Sequence, residues 1–305
     1  MFEVNWITEQ TGYIDCPAKI GVWRPGGGTD VCLIDSGNDK DAGRKLRQML
    51  DHNGFTLRAI LNTHSHADHI GGNKYLQAQT GCKVFSPGIE GAFTRFPVLE
   101  PTMLFGGNPP RELRNKFLMA QESEVSPADD PAFPREIEVI PLPGHSMEMV
   151  GYRTPDGVVF LADCVSSEAT LAKYAISFLY DVRATLSTLD AVEAMAARAF
   201  VPAHAPVCED IAPLARLNRE KILDAGERIA SLLQAPMGFD ELLRGVFKSY
   251  GLTMTIQQHA LVGSAVRSYL TYLQAAGRVR CEVEDDVLKW RQSSPAADEG
   301  ERGAV

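Results

Sequence analysis

One stretch constrains this chain more than any other: Thr63-His64-Ser65-His66-Ala67-Asp68-His69. It sets four side chains able to bind a metal into six consecutive residues, and three of the chain's seven histidines fall here. The apolar run Leu57-Arg58-Ala59-Ile60-Leu61 just before it reads as the end of a buried strand. A helix would space ligands three or four apart on one face, so this crowding predicts a turn wrapped around a cation. Gly71 and Gly72 follow. They are expected to let the chain leave the turn through unusual backbone angles, before a helix over 74–80.

A chain of 305 residues with 45% apolar content can bury a sizeable core, as one large unit plus a smaller one or as two medium ones. The formal charge of -9 gives no overall attraction for nucleic acid or an anionic membrane. A phosphate-rich partner would therefore need a local basic patch or a metal. Cys16, Cys32, Cys82, Cys164, Cys208 and Cys281 lie far apart without a Cys-x-x-Cys pair, so they are expected to be reduced. The segment Met1 to Trp6 lacks a basic stretch followed by an apolar one, and no apolar run is long enough to span a bilayer. These features predict a cytoplasmic protein with no membrane partner.

Reading on from the N-terminus, Ile20 to Trp23 and Val31 to Asp35 form strand-like runs around a turn-rich Arg24 to Asp30, which predicts a hairpin. A carboxylate at the end of a buried strand needs a partner. Asp35 is thus read either as the cap of the next helix or as a support for a metal ligand. A helix is predicted from Asp39 to His52, with Ala42, Leu46, Met49 and Leu50 inward and His52 given no role. A short strand follows over 83–86. Residues 87–134, dense in Pro and Gly, read as an insertion with at most a helix, either covering a substrate or lying on the surface.

Order resumes with a strand over 136–142 that runs into Pro143-Gly144-His145-Ser146. A hairpin about Pro155-Asp156-Gly157 then delivers Asp163 at the end of its second strand. A helix over 187–199, capped through Ser187 and Asp190, leads to a strand ending in Pro202-Ala203-His204. His64, His145, Asp163 and His204 each stand just past a short apolar strand, where α/β folds gather their chemistry on one sheet edge. Any one of the late three has a plain structural reading. Together with the crowded turn they make seven nitrogen and oxygen donors: His64, His66, Asp68, His69, His145, Asp163 and His204. That is enough for two tetrahedral or five-coordinate sites sharing one carboxylate.

Beyond residue 213 the composition changes, which divides the chain into a catalytic unit over 1–213 and a helical unit over 214–292. Helices are predicted over 217–233, 239–250 and 256–276, then a hairpin about Asp285-Asp286. Helices followed by such a hairpin resemble a winged helix. Near-balanced charges there favour dimerisation or substrate covering over reading nucleic acid. His259 is expected to face solvent, and 293–305 to be a disordered tail.

These residues resemble the metallo-β-lactamase superfamily, whose His-x-His-x-Asp-His signature stands here as His64-Ser65-His66-Ala67-Asp68-His69. Its further motifs match in order: Ile34-Asp35-Ser36-Gly37, Pro143-Gly144-His145-Ser146, Ala162-Asp163-Cys164 and Pro202-Ala203-His204. The resemblance spans about Gly21 to Val207 and implies a four-layer αβ/βα sandwich with metals at the mouth between two sheets. It also implies that His64, His66 and His145 bind one metal, that Asp68, His69 and His204 bind a second, and that Asp163 binds both. The C-terminal part is similar to the winged-helix appendage of the lactamase-B-like-2 endoribonuclease branch.

Two zinc-like cations about 3.5–4 Å apart can share a water, bring its pKa towards neutral and polarise a substrate oxygen. Asp68 is then the candidate to orient that water and pass a proton to the leaving group. Two zinc ions per chain suit the donor set, with manganese or iron left open. Departures from the family narrow the substrate. The commonest true lactamases carry a Cys where Asp163 stands, and quorum lactonases carry a Tyr where Ser166 stands. Glyoxalase-II relatives bind glutathione through a Lys and a Tyr after the Asp, for which Lys173 and Tyr174 are the weak counterparts. Three readings stay open: a hydrolase of small esters or thioesters, resembling hydroxyacylglutathione hydrolases; an endoribonuclease on single-stranded RNA; and a persulfide dioxygenase holding one iron. A homodimer is also open.

Overall fold

The structure, a computed structural model, describes residues 2–293. The first half forms strands β1 (Val4–Trp6), β2 (Thr11–Ile14), β3 (Ile20–Trp23) and β4 (Asp30–Ile34), then helix α1 (Lys40–His52) and strand β5 (Thr56–Leu61). The short helices α2 (Ala67–Ile70) and α3 (Asn73–Thr80) lead to β6 (Lys83–Phe85). The six strands make one sheet in chain order, antiparallel from β1 to β4 and parallel from β4 to β6.

The second half begins with α4 (Glu90–Arg95) and α5 (Leu99–Phe105), then β7 (Glu138–Pro141), β8 (Val150–Arg153) and β9 (Val158–Ser166). Helices α6 (Glu168–Tyr174) and α7 (Val182–Glu193) precede β10 (Ala199–His204). This second sheet has the order β10-β9-β8-β7, with β9 and β10 parallel. The chain ends with α8 (Ala212–Leu232), β11 (Met237–Gly238), α9 (Phe239–Ser249), α10 (Ile256–Ala275), β12 (Val279–Glu284) and β13 (Val287–Gln292).

Period-two alternation along the strands explains the layers. In β4, Val31 and Leu33 pack with Leu46, Met49 and Leu50 of α1 and Leu76 of α3, while Cys32 and Ile34 pack across onto the other sheet. In β9, Val158 and Phe160 meet that inner layer, and Val159 and Leu161 face α7 and α8. The result is the expected αβ/βα sandwich. The hairpin of β12 and β13 turns at Asp285 and Asp286, both at positive φ (51° and 60°), as a two-residue turn between twisted strands requires. A third short strand, β11, pairs with β13 on its other side.

Several expectations need correction. Gly71 and Gly72 both have ordinary right-handed helical angles. They are glycines because of close approach: a Cβ at Gly71 would collide with the Asn38 carbonyl carbon, and one at Gly72 would collide with the Ser36 carbonyl oxygen. The crowded turn is partly helical, since Ala67–Ile70 complete one turn after His66. Helix α7 spans Val182–Glu193 rather than 187–199, because Asp181 caps it by accepting from the Ala184 amide. The segment 87–134 carries two helices. Helix α8 starts at Ala212, and its Ala215 lies in one continuous core with Val159, Leu161, Phe200, Val246 and Val266. Buried contacts therefore continue from the second sheet into α8, α9 and α10. The expected tail beyond Ser293 lies outside the described residues.

Candidate metal centre

The mouth between the sheets collects the seven side chains from four places in the chain. His64, His66, Asp68 and His69 come from the turn between β5 and α3; His145 lies in the loop between β7 and β8; His204 ends β10. Asp163 lies inside β9 rather than past its end. It is presented there by a local irregularity: Ala162 takes a positive φ of 48°, and the β9 to β10 register shifts beyond Val201.

Two clusters result. The ligating atoms of His64, His66, His145 and Asp163 lie within 4.8 Å of one another, as do those of Asp68, His69, Asp163 and His204. Asp163 belongs to both. In the first, His145 Nε2 lies 3.0 Å from His66 Nδ1 and 3.4 Å from Asp163 Oδ2. In the second, His204 Nε2 lies 3.2 Å from Asp163 Oδ2 and 3.3 Å from Asp68 Oδ2.

Support from behind fixes the imidazoles. Asp35 stands at a positive φ of 64°, and its Oδ2 lies 2.8 Å from His69 Nδ1 while its carboxylate also accepts from the Thr63 amide and hydroxyl. Of its two readings, the cap of α1 falls to Asp39, and Asp35 pairs instead with the His69 imidazole. Thr63 Oγ1 lies 3.0 Å from His64 Nδ1, and the Pro17 carbonyl lies 2.8 Å from His204 Nδ1. The His145 loop is seated by close approach. Gly144 has φ 125°, a Cβ there would collide with the Thr185 amide nitrogen, and its carbonyl accepts from the Tyr180 and Asp181 amides.

The electrostatics call for positive charge here. Burial pushes the His64 imidazole well below its usual value and His145 down to about 4, so both stay neutral with a lone pair to give. Burial also opposes charge on His69, but the carboxylates of Asp163, Asp68 and Asp35 outweigh it and hold the ring well above its usual range. Asp163 and its hydrogen bond raise His204 to about 10. Burial of Asp163 is likewise outweighed by His69 and His204, which hold its carboxyl well below the usual range. A divalent cation fits this donor set. His64 Nε2, His69 Nε2 and Asp163 Oδ1 are buried with no hydrogen-bond partner, although His69 Nε2 and Asp163 Oδ1 are only 3.0 Å apart. An unsatisfied buried polar group costs about 1–3 kcal/mol, and three that converge suit coordination better than packing.

Two hollows flank the centre. One, about 240 Å³ including its mouth, is lined by His66, Glu90, Phe93, Glu100, Met103 and Phe178 among others. The other, about 890 Å³ and open, lies beside His204, Ser167, Thr170 and Lys19. Lys173 and Tyr174 line neither. They lie exposed on α6, with the Lys173 ammonium 4.8 Å from the centre of the Tyr174 ring. His52 is exposed and His259 lies on α10, and neither belongs to the centre. Thr63, Glu90 and Glu100 also touch the centre, through His64, Ser65 and His66. Thr63 was discoverable, since it adjoins the motif and its hydroxyl reaches a neighbouring ring. Glu90 and Glu100 carry no local signal, because each reaches the centre only through the packing of α4 and α5.

The fold and this donor set define a metallohydrolase-type scaffold. The family model of the metallo-beta-lactamase superfamily matches residues 18–204, and the chain belongs to that superfamily. The chain is similar to the hydroxyacylglutathione hydrolases of Rhodospirillum rubrum (31% identity over 32% of this chain and 30% of that one) and Maricaulis maris (31% over 37% and 36%). It thus spans about a third of the length of these relatives. In structure it is similar to a beta-lactamase domain protein from Burkholderia ambifaria (TM-score 0.74, 16% identity, covering 95% of this chain and 94% of that one). A metallo-beta-lactamase family protein from Thermus thermophilus is also similar (TM-score 0.69, 17% identity, 90% and 93%). At these identities the likeness is one of fold.

Proposed function

We propose that this chain is a metal-dependent hydrolase that holds two divalent cations, zinc by the nature of the donors, and cleaves small carboxyl esters or thioesters. The observation that carries this reading is the pair of donor clusters meeting at Asp163 around three unpartnered buried atoms. His64, His66, His145 and Asp163 would hold one cation, and Asp68, His69, His204 and Asp163 the other. Bound there, such cations act as Lewis acids and lower the pKa of a water towards neutrality.

The chain's own residues do the rest. Partial burial opposes charge on Asp68, but His69 and His204 outweigh it and hold the carboxyl at about 2, so it is ionised at neutral pH and has a lone pair to offer. Its side chain is 40% exposed, where those of His69 and Asp163 are 0% and 9%, so solvent and substrate reach it most readily. Asp68 takes the proton of the attacking water and returns it to the leaving group. Asp35 and the Pro17 carbonyl keep the outer nitrogens of His69 and His204 engaged, so these rings cannot rotate.

The curated relatives named hydroxyacylglutathione hydrolase support a thioester as substrate. Against single-stranded RNA stands the lining of the two hollows, where Lys19 is the one Lys or Arg among the described residues and is already bound to the Ala205 carbonyl and near Asp15. A phosphate backbone needs more than that. The test is metal analysis of the purified chain, followed by a thioester and ester panel and a single-stranded RNA on one metal-loaded preparation. Two metals per chain with thioester turnover are expected. One iron per chain would replace this reading by an iron oxygenase, and RNA cleavage without thioester turnover would replace the substrate.

A further inference from the structure

Glu90 opens α4 in the segment 87–134 and is 2% exposed. A carboxylate at that depth needs partners, and no Lys or Arg pairs with it among the described residues. Its partners are backbone and hydroxyl donors. Oε2 accepts from the Ser65 amide (3.1 Å) and the Ser65 hydroxyl (2.6 Å), and Oε1 accepts from the Glu148 amide (3.0 Å).

The identity of those partners gives the contact its meaning. Ser65 stands between His64 and His66, and Glu148 stands three residues after His145. One side chain thus ties together the two loops that supply all three imidazoles of the first cluster. The clasp is reciprocal: the Glu148 carboxylate accepts from the Ile89 amide at 2.6 Å. Gly88 permits this approach, since a Cβ there would collide with Glu148 Oε2. The second cluster has other supports, Asp35 behind His69 and the Pro17 carbonyl behind His204, and Glu90 makes no hydrogen bond to either.

We propose that Glu90 is a positioning residue for the His64, His66 and His145 cluster alone, setting the distance between its two loops and hence the affinity of that one cation site. The proposal rests on the metal-centre reading above. It separates the two sites, which share Asp163 but differ in that the first adds three imidazoles and the second two imidazoles and the Asp68 carboxylate.

Glu90→Gln tests it. An amide keeps the size of the side chain, but whichever way it faces, its NH2 meets an N–H or O–H donor on one side. Only one of the two loops can then be held. Zinc titration of the metal-free protein against a chromophoric chelator reads both affinities, and cobalt absorption reads their coordination. In Glu90→Gln one of the two sites is expected to weaken by about 10–100-fold, the usual cost of losing support behind a ligand, with the other unchanged. Placed in a His204→Ala chain, which cripples the second site, the change should weaken the remaining zinc. Placed in a His145→Ala chain, it should do nothing to the zinc that remains. Equal weakening of both sites, or no change in either, overturns the proposal. Should Glu90→Gln fail to fold, Ser65→Ala removes only the 2.6 Å hydroxyl contact and must weaken the same single site. If the unaltered chain binds no second cation, the two-metal reading fails, while the His145→Ala comparison still decides for or against Glu90.

Discussion

Asp68 and Asp163 are carboxylates at one mouth, yet their surroundings give them different work. Asp163 is nearly buried and shared by both clusters, whereas Asp68 is open to solvent and belongs to one. Asp68→Asn is expected to keep the fold and lower kcat/KM by about 10²–10⁴-fold, the range for loss of a general acid–base group. Full metal occupancy with unchanged turnover would remove Asp68 from that role. Away from the centre, Asp156 ties the β8–β9 hairpin to the N-terminal turn by accepting from Thr154 (2.6 Å), Thr11 (2.8 Å) and Thr8 hydroxyls. Partial burial opposes its charge, but donation from Thr154, Thr8 and Thr11 prevails and lowers its pKa. A folded pKa below the unfolded value of about 3.9 means stability that is present above that pH and lost as pH falls through the folded value. Asp156→Asn should therefore flatten the acid side of the stability curve in urea titrations and cost about 1–3 kcal/mol at neutral pH. An acid limb identical to that of the unaltered chain would contradict this.

Single elements explain where the centre can form. The loop carrying His145 is held by α7, where the Tyr180 and Asp181 amides just before the helix donate to the Gly144 carbonyl and the Thr188 hydroxyl donates to the Pro143 carbonyl at 2.7 Å. Gly144→Ala would force both a positive φ on a residue with a Cβ and a collision with Thr185. The expected cost is at least about 1–3 kcal/mol for the strain, with weaker binding at the proposed cation site that includes His145, read by thermal melting and metal analysis. Helix α7 also shows what periodicity misses. Ser187 and Asp190 form a plausible capping pair in sequence, yet Asp181 is the cap because the helix must begin where it can seat the His145 loop. In the same way α4 and α5 escape notice among prolines and glycines, since the Glu90 and Glu100 carboxylates meet their partners in other segments.

At the scale of the whole molecule, the C-terminal helices are part of the same core as the second sheet, and α10 also reaches the inserted segment. Ala260 packs with Leu104, Leu113 and Leu118, with Met103 and Phe178 against them, and the Phe178 ring lies edge-on to His66 and His145 at 5.5 and 5.9 Å. Arg219 of α8 is bound to Asp190 and Glu193 of α7 at 2.7 and 2.6 Å. Calorimetry should accordingly give one unfolding transition for the chain; two well-separated transitions would show that the parts fold apart. Chelator treatment should lower that transition, because a metal bound only to the folded chain at about a hundredfold excess over its Kd contributes about 2.7 kcal/mol. No helix among the described residues is long and apolar enough to cross a membrane, in keeping with the absence of any long apolar run. What the sequence determined by itself is the layer pattern and the side chains that meet as candidate donors, because a crowded His and Asp turn and strand alternation are written in neighbouring residues. What only the tertiary structure decided is the support: Asp35 as partner of His69, Glu90 between Ser65 and Glu148, glycines chosen for close approach, and buried contacts that continue from the second sheet into the C-terminal helices. These depend on segments tens of residues apart meeting in one packed interior, and no local pattern records which of them will touch.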